Sequence, residues 1–309
     1  MLFSRELIDE KLRRSIENSK DYIGLGELAS YIPELMKVDK DNLSLSLIST
    51  TGEVFTYGDK DITFSLQSIS KLLTLIIALT DTNPTDLYQK VGSEPTRYEF
   101  NSLIPIGDKP ANPFINAGAI TTASMVLGLN NDHKFERILD FYRGISDFAE
   151  AYMDHDIYMS ELKTADRNKA IAYYLKSKGI IDQDPGEVLD LYIRACSICT
   201  NIEGLAMMGA VLANKGIGIR TREMLIPENI VQIVVSQMAS CGMYENSGSY
   251  LMNVGIPSKS GVSGGIVGVV PGICGLAVYS PRLDRTGNSV RGKELFKIIS
   301  QDLGLNIFV

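Results

Sequence analysis

Residues 64–81 read FSLQSISKLLTLIIALTD. From Ile69 onward the residues Ile69, Leu72, Leu73, Leu75, Ile76, Ile77, Ala78 and Leu79 are apolar nearly all round, the pattern of a helix enclosed by protein. At its head stands Ser68-Ile69-Ser70-Lys71, a Ser-x-x-Lys. Residues three apart share a helix face, so the hydroxyl and the amine are expected to face the same way. The positive end of the helix dipole favours anionic character on the serine and disfavours a charged ammonium. Burial drags a lysine pKa down further and leaves a neutral amine able to take a hydroxyl proton. The tetrad recurs at Ser160 and Lys163, in a polar segment with no such helix behind it. What sets the first copy apart is its context and a far-downstream partner, Lys259-Ser260-Gly261.

On either side of this helix the patterning divides. Residues 3–20 form an amphipathic helix, with Leu7, Ile8, Leu12 and Ile16 on one side; 24–33 is a turn-rich link carrying Tyr31. Residues 43–49 alternate, 50–53 turn and 54–57 return, which predicts a β-hairpin. The stretch 84–200 is mostly helical in pattern. One helix is expected over 165–178, stopping at Gly179; others are expected over 187–199 and 203–215. From Tyr250 the signal turns to strand, in the short runs YLMNVGIP, KSGVSGG, IVGVVPG and ICGLAVYSP, and a last helix spans 290–303. The expected fold is α+β: an antiparallel sheet built from both chain ends and flanked by helices, with an all-helical lobe inserted. Residues 1–66 and 203–309 make the sheet lobe and 67–202 the helical lobe. The seam between them is where a pocket is expected.

Composition narrows the function. A net charge of −7 and the lack of any basic run interleaved with aromatics exclude a nucleic-acid binder. The apolar runs fall short of the ~20 residues a membrane helix needs. The N-terminus is charged without a secretory apolar core, so a cytoplasmic location is expected. Cys196-x-x-Cys199 lies in a helix-like stretch with no second pair to complete a metal site, and the four cysteines read as buried free thiols. The two histidines, His133 and His155, stand among charged loop-like residues, poor places for a Ser-His-Asp triad.

Ser68-x-x-Lys71 opening a helical block, with Lys259-Ser260-Gly261 on a late strand, resembles the layout of serine β-lactamases and penicillin-binding proteins. The flanking blocks resemble more closely the serine-dependent glutaminases of that fold: 64–71 (FSLQSISK), 112–120 (NPFINAGAI), 166–175 (DRNKAIAYYL), 240–244 (SCGMY), 259–266 (KSGVSGGI) and 287–290 (GNSV). They follow family order over nearly the whole chain. A class A β-lactamase would carry a Ser-Asp-Asn in the helical block, and none is present, although Asn116 occupies an equivalent place.

The resemblance implies a cofactor-free, metal-free homo-oligomer, a dimer or larger, acting on L-glutamine. Ser68 is similar to the family's nucleophile and Lys71 to its base partner. Tyr31 and Tyr244 are similar to its active-site tyrosines, either of which could shuttle a proton to the leaving ammonia. Asn116, Glu161, Asn168, Tyr192 and Val262 resemble the glutamine-binding positions, with Lys259, Ser260 and Gly261 in support. Amide hydrolysis needs donors for an oxyanion, and the backbone N–H groups of Ser68 and Val262 could supply them. A free amino acid wants an anion near its ammonium, which Glu161 suits. If Glu161 and Asn168 share one helix, their spacing puts them on one face; a late helix start near 164–166 would break that geometry. Two other readings remain: a β-lactamase or penicillin-binding-type amidase, and a non-catalytic glutamine-binding or filament protein of the same fold.

Overall fold

The computed structural model describes residues 4–309. In chain order the elements are α1 (Arg5–Asn18), β1 (Ser44–Ser49), β2 (Val54–Gly58), β3 (Phe64–Ser65), α2 (Lys71–Asp81), α3 (Pro84–Lys90), α4 (Asn116–Ser124) and α5 (Asn131–Ser146). Then come β4 (Tyr152–Met153), α6 (His155–Lys163), α7 (Asp166–Ser177), α8 (Pro185–Cys196), β5 (Ile198–Thr200) and α9 (Ile202–Ala213). The chain closes with α10 (Glu228–Cys241), α11 (Ser247–Val254), β6 (Ser258–Ser260), β7 (Gly265–Val270), β8 (Cys274–Tyr279) and α12 (Val290–Leu303). Residue 3, the first of the expected N-terminal helix, lies outside the described residues.

Strands from the two chain ends join in one antiparallel sheet of order β2-β1-β8-β7-β6. Alternation sorts its side chains onto two faces. Leu45 and Leu47 of β1 and Leu276 and Val278 of β8 pack with Ile8, Leu12, Leu295, Phe296 and Ile299 of α1 and α12. Ile48, Val267, Val269 and Ala277 face the other way, into the larger core that holds α9 and α2. Helix α9 can lie against β8 because Gly275 has no side chain: a Cβ there would stand 2.1 Å from the Ala210 amide nitrogen.

The helix read from residues 64–81 is the centre of that larger core. Leu72, Leu73 and Leu75 are wholly inaccessible, and α3, α4, α5, α8 and α10 surround them. Full burial of each such side chain contributes roughly 1.5–3 kcal/mol.

Three local expectations are corrected. YLMNVGIP is not a strand: Tyr250 and Val254 are the buried side of α11, which stops at Gly255 in the left-handed conformation (φ +69°). Their spacing of four is a helical repeat inside an apolar run short enough to pass for a strand. The helix expected over 187–199 ends at Cys196. Ile198–Thr200 then pairs with Phe64–Ser65 and with Tyr152–Met153 in a small second sheet, order β3-β5-β4, that joins residues 64–65 to the helical part of the chain. Ser68 precedes α2 rather than opening it, in a 3-10 turn over Gln67–Ser70.

Candidate active site

Two non-glycine residues at this site hold positive φ, Gln67 (+48°) and Tyr244 (+56°), a conformation that costs energy and survives only where the surroundings impose it. Gln67 begins the turn that carries Ser68. The turn is anchored by β3, where Leu66 N–H donates to Ile198 O (2.7 Å), and it rests on the strand end at Gly261, where a Cβ would come within 2.5 Å of Leu66 O. Lys259-Ser260-Gly261 is therefore pressed against the back of the Ser68 turn.

Lys71 is buried, 1% exposed, yet forms no ion pair among the described residues. Its Nζ donates to Phe114 O (3.0 Å) and to Asn116 Oδ1 (2.7 Å). Desolvation pulls its pKa down to about 8, against smaller opposing pulls from Cys196 and Glu161. The Phe114 carbonyl is held in place by Asn112, whose Oδ1 accepts from Phe114 N–H (3.0 Å) and Ile115 N–H (3.1 Å). Ser68 is nearly buried, and it is near enough to the Tyr244 phenol to draw that group's pKa down slightly against its burial.

A cavity of ≈ 280 Å³ opens over Ser68. Tyr31, Asn116, Glu161, Asn168 and Tyr192, all named from the sequence, line it together with Ser68. Asn116 Nδ2 donates to Asn168 Oδ1 (2.8 Å), while Tyr192 hydroxyl donates to Asn116 Oδ1 (3.3 Å), so the amides and phenol are linked around one wall. Glu161 lies in the last turn of α6 and Asn168 in the first turn of α7, with a break at 164–165 between the helices. The single shared helix does not form; both side chains reach the cavity because two helices converge on it. Glu161 Oε2 is buried without a hydrogen-bond partner, and burial raises its carboxyl to about 7 despite the help of Gln67 and Lys71. Tyr31 is half exposed (51%), but its hydroxyl end is desolvated beside Tyr244 and Glu161, which holds its pKa well above normal.

Val262, Tyr244 and Lys259 do not line this cavity. Val262 borders an adjoining one of ≈ 310 Å³ that shares Tyr31, Phe100 and Asn101 with the first. The backbone N–H groups of Ser68 and Val262 donate no hydrogen bond to an acceptor among the described residues. Tyr244 hydroxyl donates to Ser260 O (3.3 Å), and burial raises it to about 12. Lys259 is fully buried and lines neither cavity; its Nζ donates to Ser260 O (2.5 Å) and lies 4.4 Å from the centre of the Tyr244 ring. Desolvation, then Lys71, hold its pKa well below normal. Cys196 is a buried thiol raised to about 12 by desolvation, and all four cysteines are free. Residues that sequence reasoning did not single out are Gln67, Phe100, Asn112, Arg167 and Asn288. All but Phe100 lie in the quoted blocks (FSLQSISK, NPFINAGAI, DRNKAIAYYL and GNSV), which carried the only available signal.

Comparison with known proteins agrees with this frame. The glutaminase family model matches residues 26–308. A glutaminase of Clostridium tetani is 43% identical over 306 residues, covering 98% of this chain and 100% of its own. Among solved structures, a probable glutaminase, YbaS, superposes with TM-score 0.92 at 36% identity, covering 97% of this chain and 98% of that one. A Bacillus subtilis glutaminase, YbgJ, in covalent complex with 5-oxo-L-norleucine superposes with TM-score 0.88 at 32% identity, over 97% and 99% of the two chains. The sheet with its inserted helices is accordingly the serine β-lactamase-like fold expected from the sequence. Likeness that runs from end to end, in residues and in backbone alike, makes this chain a member of the glutaminase family.

Proposed function

We propose that this glutaminase, an amidohydrolase, cleaves L-glutamine to L-glutamate and ammonia through a γ-glutamyl ester on Ser68. The Ser68 Oγ attacks the side-chain amide carbon as its proton passes to the Lys71 amine. The N–H groups of Ser68 and Val262 receive the oxyanion, and both are free to donate. The amide nitrogen takes a proton and leaves as ammonia. The pull of Ser68 on the Tyr244 phenol supports Tyr244 as the donor, with Tyr31, which lines the cavity, as the alternative. Lys71 returns the serine's proton to the tyrosine phenolate. Water then attacks the ester carbonyl, passing a proton to Lys71. The bond between the acyl carbon and Ser68 Oγ breaks, and Oγ recovers that proton as L-glutamate leaves. Asn116, Asn168 and Tyr192 orient the amino-acid end. The observation that carries this reading is the unpartnered carboxylate oxygen of Glu161 in the cavity over Ser68. A buried charge without a partner is costly, and the ammonium of a bound amino acid would supply one.

We place the enzyme in the cytoplasm as a homo-oligomer, a dimer or tetramer, with residues 67–202 as one lobe and 1–66 with 203–309 as the other. Among the described residues no helix is long and apolar enough to cross a membrane, and no His/Cys/Asp/Glu cluster could hold a metal ion.

The test is ammonia release from purified protein with glutamine, asparagine and nitrocefin side by side. Glutamine turnover should dominate. Ser68→Ala should abolish it while glutamine still raises the melting temperature. Turnover at the native rate by that variant would remove Ser68 from the mechanism, and faster nitrocefin cleavage would favour a β-lactamase-type enzyme.

A further inference from the structure

Asn288 is wholly buried, behind the site and in neither cavity. Its Oδ1 accepts from Ser260 Oγ (2.6 Å), and its Nδ2 donates to Met243 O (3.4 Å) and to Thr286 Oγ1 (2.8 Å). Its own backbone is held from the other side: Asn288 N–H donates to Asp284 Oδ1 (3.2 Å), and Asp284 N–H donates to Asn288 O (2.8 Å). Asp284 is in turn paired with Lys293, and Asn246 Nδ2 donates to Thr286 Oγ1 (2.7 Å).

These contacts have a common direction. Met243 immediately precedes Tyr244, whose backbone sits at φ +56°. Ser260 supplies the carbonyl that receives the Tyr244 hydroxyl. One side chain thus ties the turn that carries the phenol to the strand that the phenol rests on. A phenol on a strained turn needs such a tie, because the turn would otherwise relax and carry the hydroxyl away from Ser68.

We propose that Asn288 is a positioning residue for the reaction, setting the distance between the Tyr244 hydroxyl and Ser68. This inference rests on the reading of Tyr244 as the proton donor to the leaving ammonia. A misplacement of about 1 Å at a reacting group costs on the order of 10²-fold in rate. The loss should fall on kcat rather than on KM, since Asn288 touches none of the groups that line the substrate cavity.

The experiment compares Asn288→Ala and the near-isosteric Asn288→Asp with the native enzyme on two substrates. Glutamine needs its leaving nitrogen protonated; a γ-glutamyl p-nitrophenyl ester releases p-nitrophenolate without a proton. The expected result for at least one folded variant, checked by its melting curve, is a 10- to 100-fold fall in kcat for glutamine (on the order of the 10²-fold above). KM should stay within about twofold, and the burst rate of p-nitrophenolate should be close to native. An unchanged glutamine kcat in both variants, or equal losses on amide and ester, would overturn the proposal. Failure of the underlying reading looks different: the native enzyme would release no ammonia, or Tyr244→Phe would turn over glutamine at the native rate.

Discussion

Lys71 and Glu161 are two buried ionisable groups pulled towards neutrality from opposite sides, the amine down to about 8 and the carboxyl up to about 7. Each slightly steadies the charge of the other, so they titrate as a pair. The proposed chemistry needs the amine neutral and the carboxylate charged, and both conditions are met on raising the pH. The rate constant kcat/KM should therefore fall on acidification along a limb with apparent pKa values between about 7 and 8, read from a pH–rate profile. Glu161→Gln should strip the carboxylate from that limb and raise KM for glutamine by roughly 10- to 100-fold, the worth of one charged hydrogen bond. It should also stabilise the protein, at one end of the pH range only. Folding raises the Glu161 pKa above its ordinary 4.5, so the native state holds a proton that the unfolded chain gives up. That contribution is complete below 4.5 and is lost as pH climbs through about 7. At pH 8 the variant should gain ~1–3 kcal/mol, the cost of an unpaired buried polar group; at pH 4 it should gain nothing. Melting curves at the two values check this.

At the scale of elements, the site depends on close approaches that no side chain would permit. The end of β6 can touch the Ser68 turn only because residue 261 is glycine, where a Cβ would meet Leu66 O at 2.5 Å and Ile69 Cγ1 at 3.3 Å. Gly261→Ala should push the turn off the strand. A stability loss of about 1–3 kcal/mol is expected from the overpacking, measured by denaturant titration. The turnover loss should be larger, on the order of 10²-fold, because Ser68 and the Val262 N–H lie on the two sides of the contact.

Across the whole molecule, the sheet and the helical core share α9 as a common wall. Gly275 on β8 meets that helix at backbone distance, and a Cβ would stand 2.1 Å from Ala210 N and 2.3 Å from Ala206 O. Backbone atoms cannot step aside as a flexible side chain can. Gly275→Val should therefore cost about 3 kcal/mol or more. Since one core runs from α2 through α9 to the sheet, activity and tertiary signal should be lost together in a single transition at a lower denaturant concentration.

The residues of one chain were enough to read α2, the strands at both ends and the helix stop at Gly179, because each of these is written in local periodicity or in one residue's backbone freedom. The family resemblance was enough to name six of the thirteen residues that line the cavity over Ser68. Other features turn on contacts between distant segments. The run at Tyr250 has apolar residues that fit either period, and only packing against the core made it a helix. The pairing of Phe64–Ser65 with Ile198–Thr200 spans more than a hundred residues and leaves no local trace. The acceptors of Lys71 and of Lys259 and the clamp at Asn288 all depend on which buried donor meets which acceptor. That choice is made through space: each buried polar group must be satisfied by whatever the folded chain brings beside it, and sequence spacing carries no record of that neighbour.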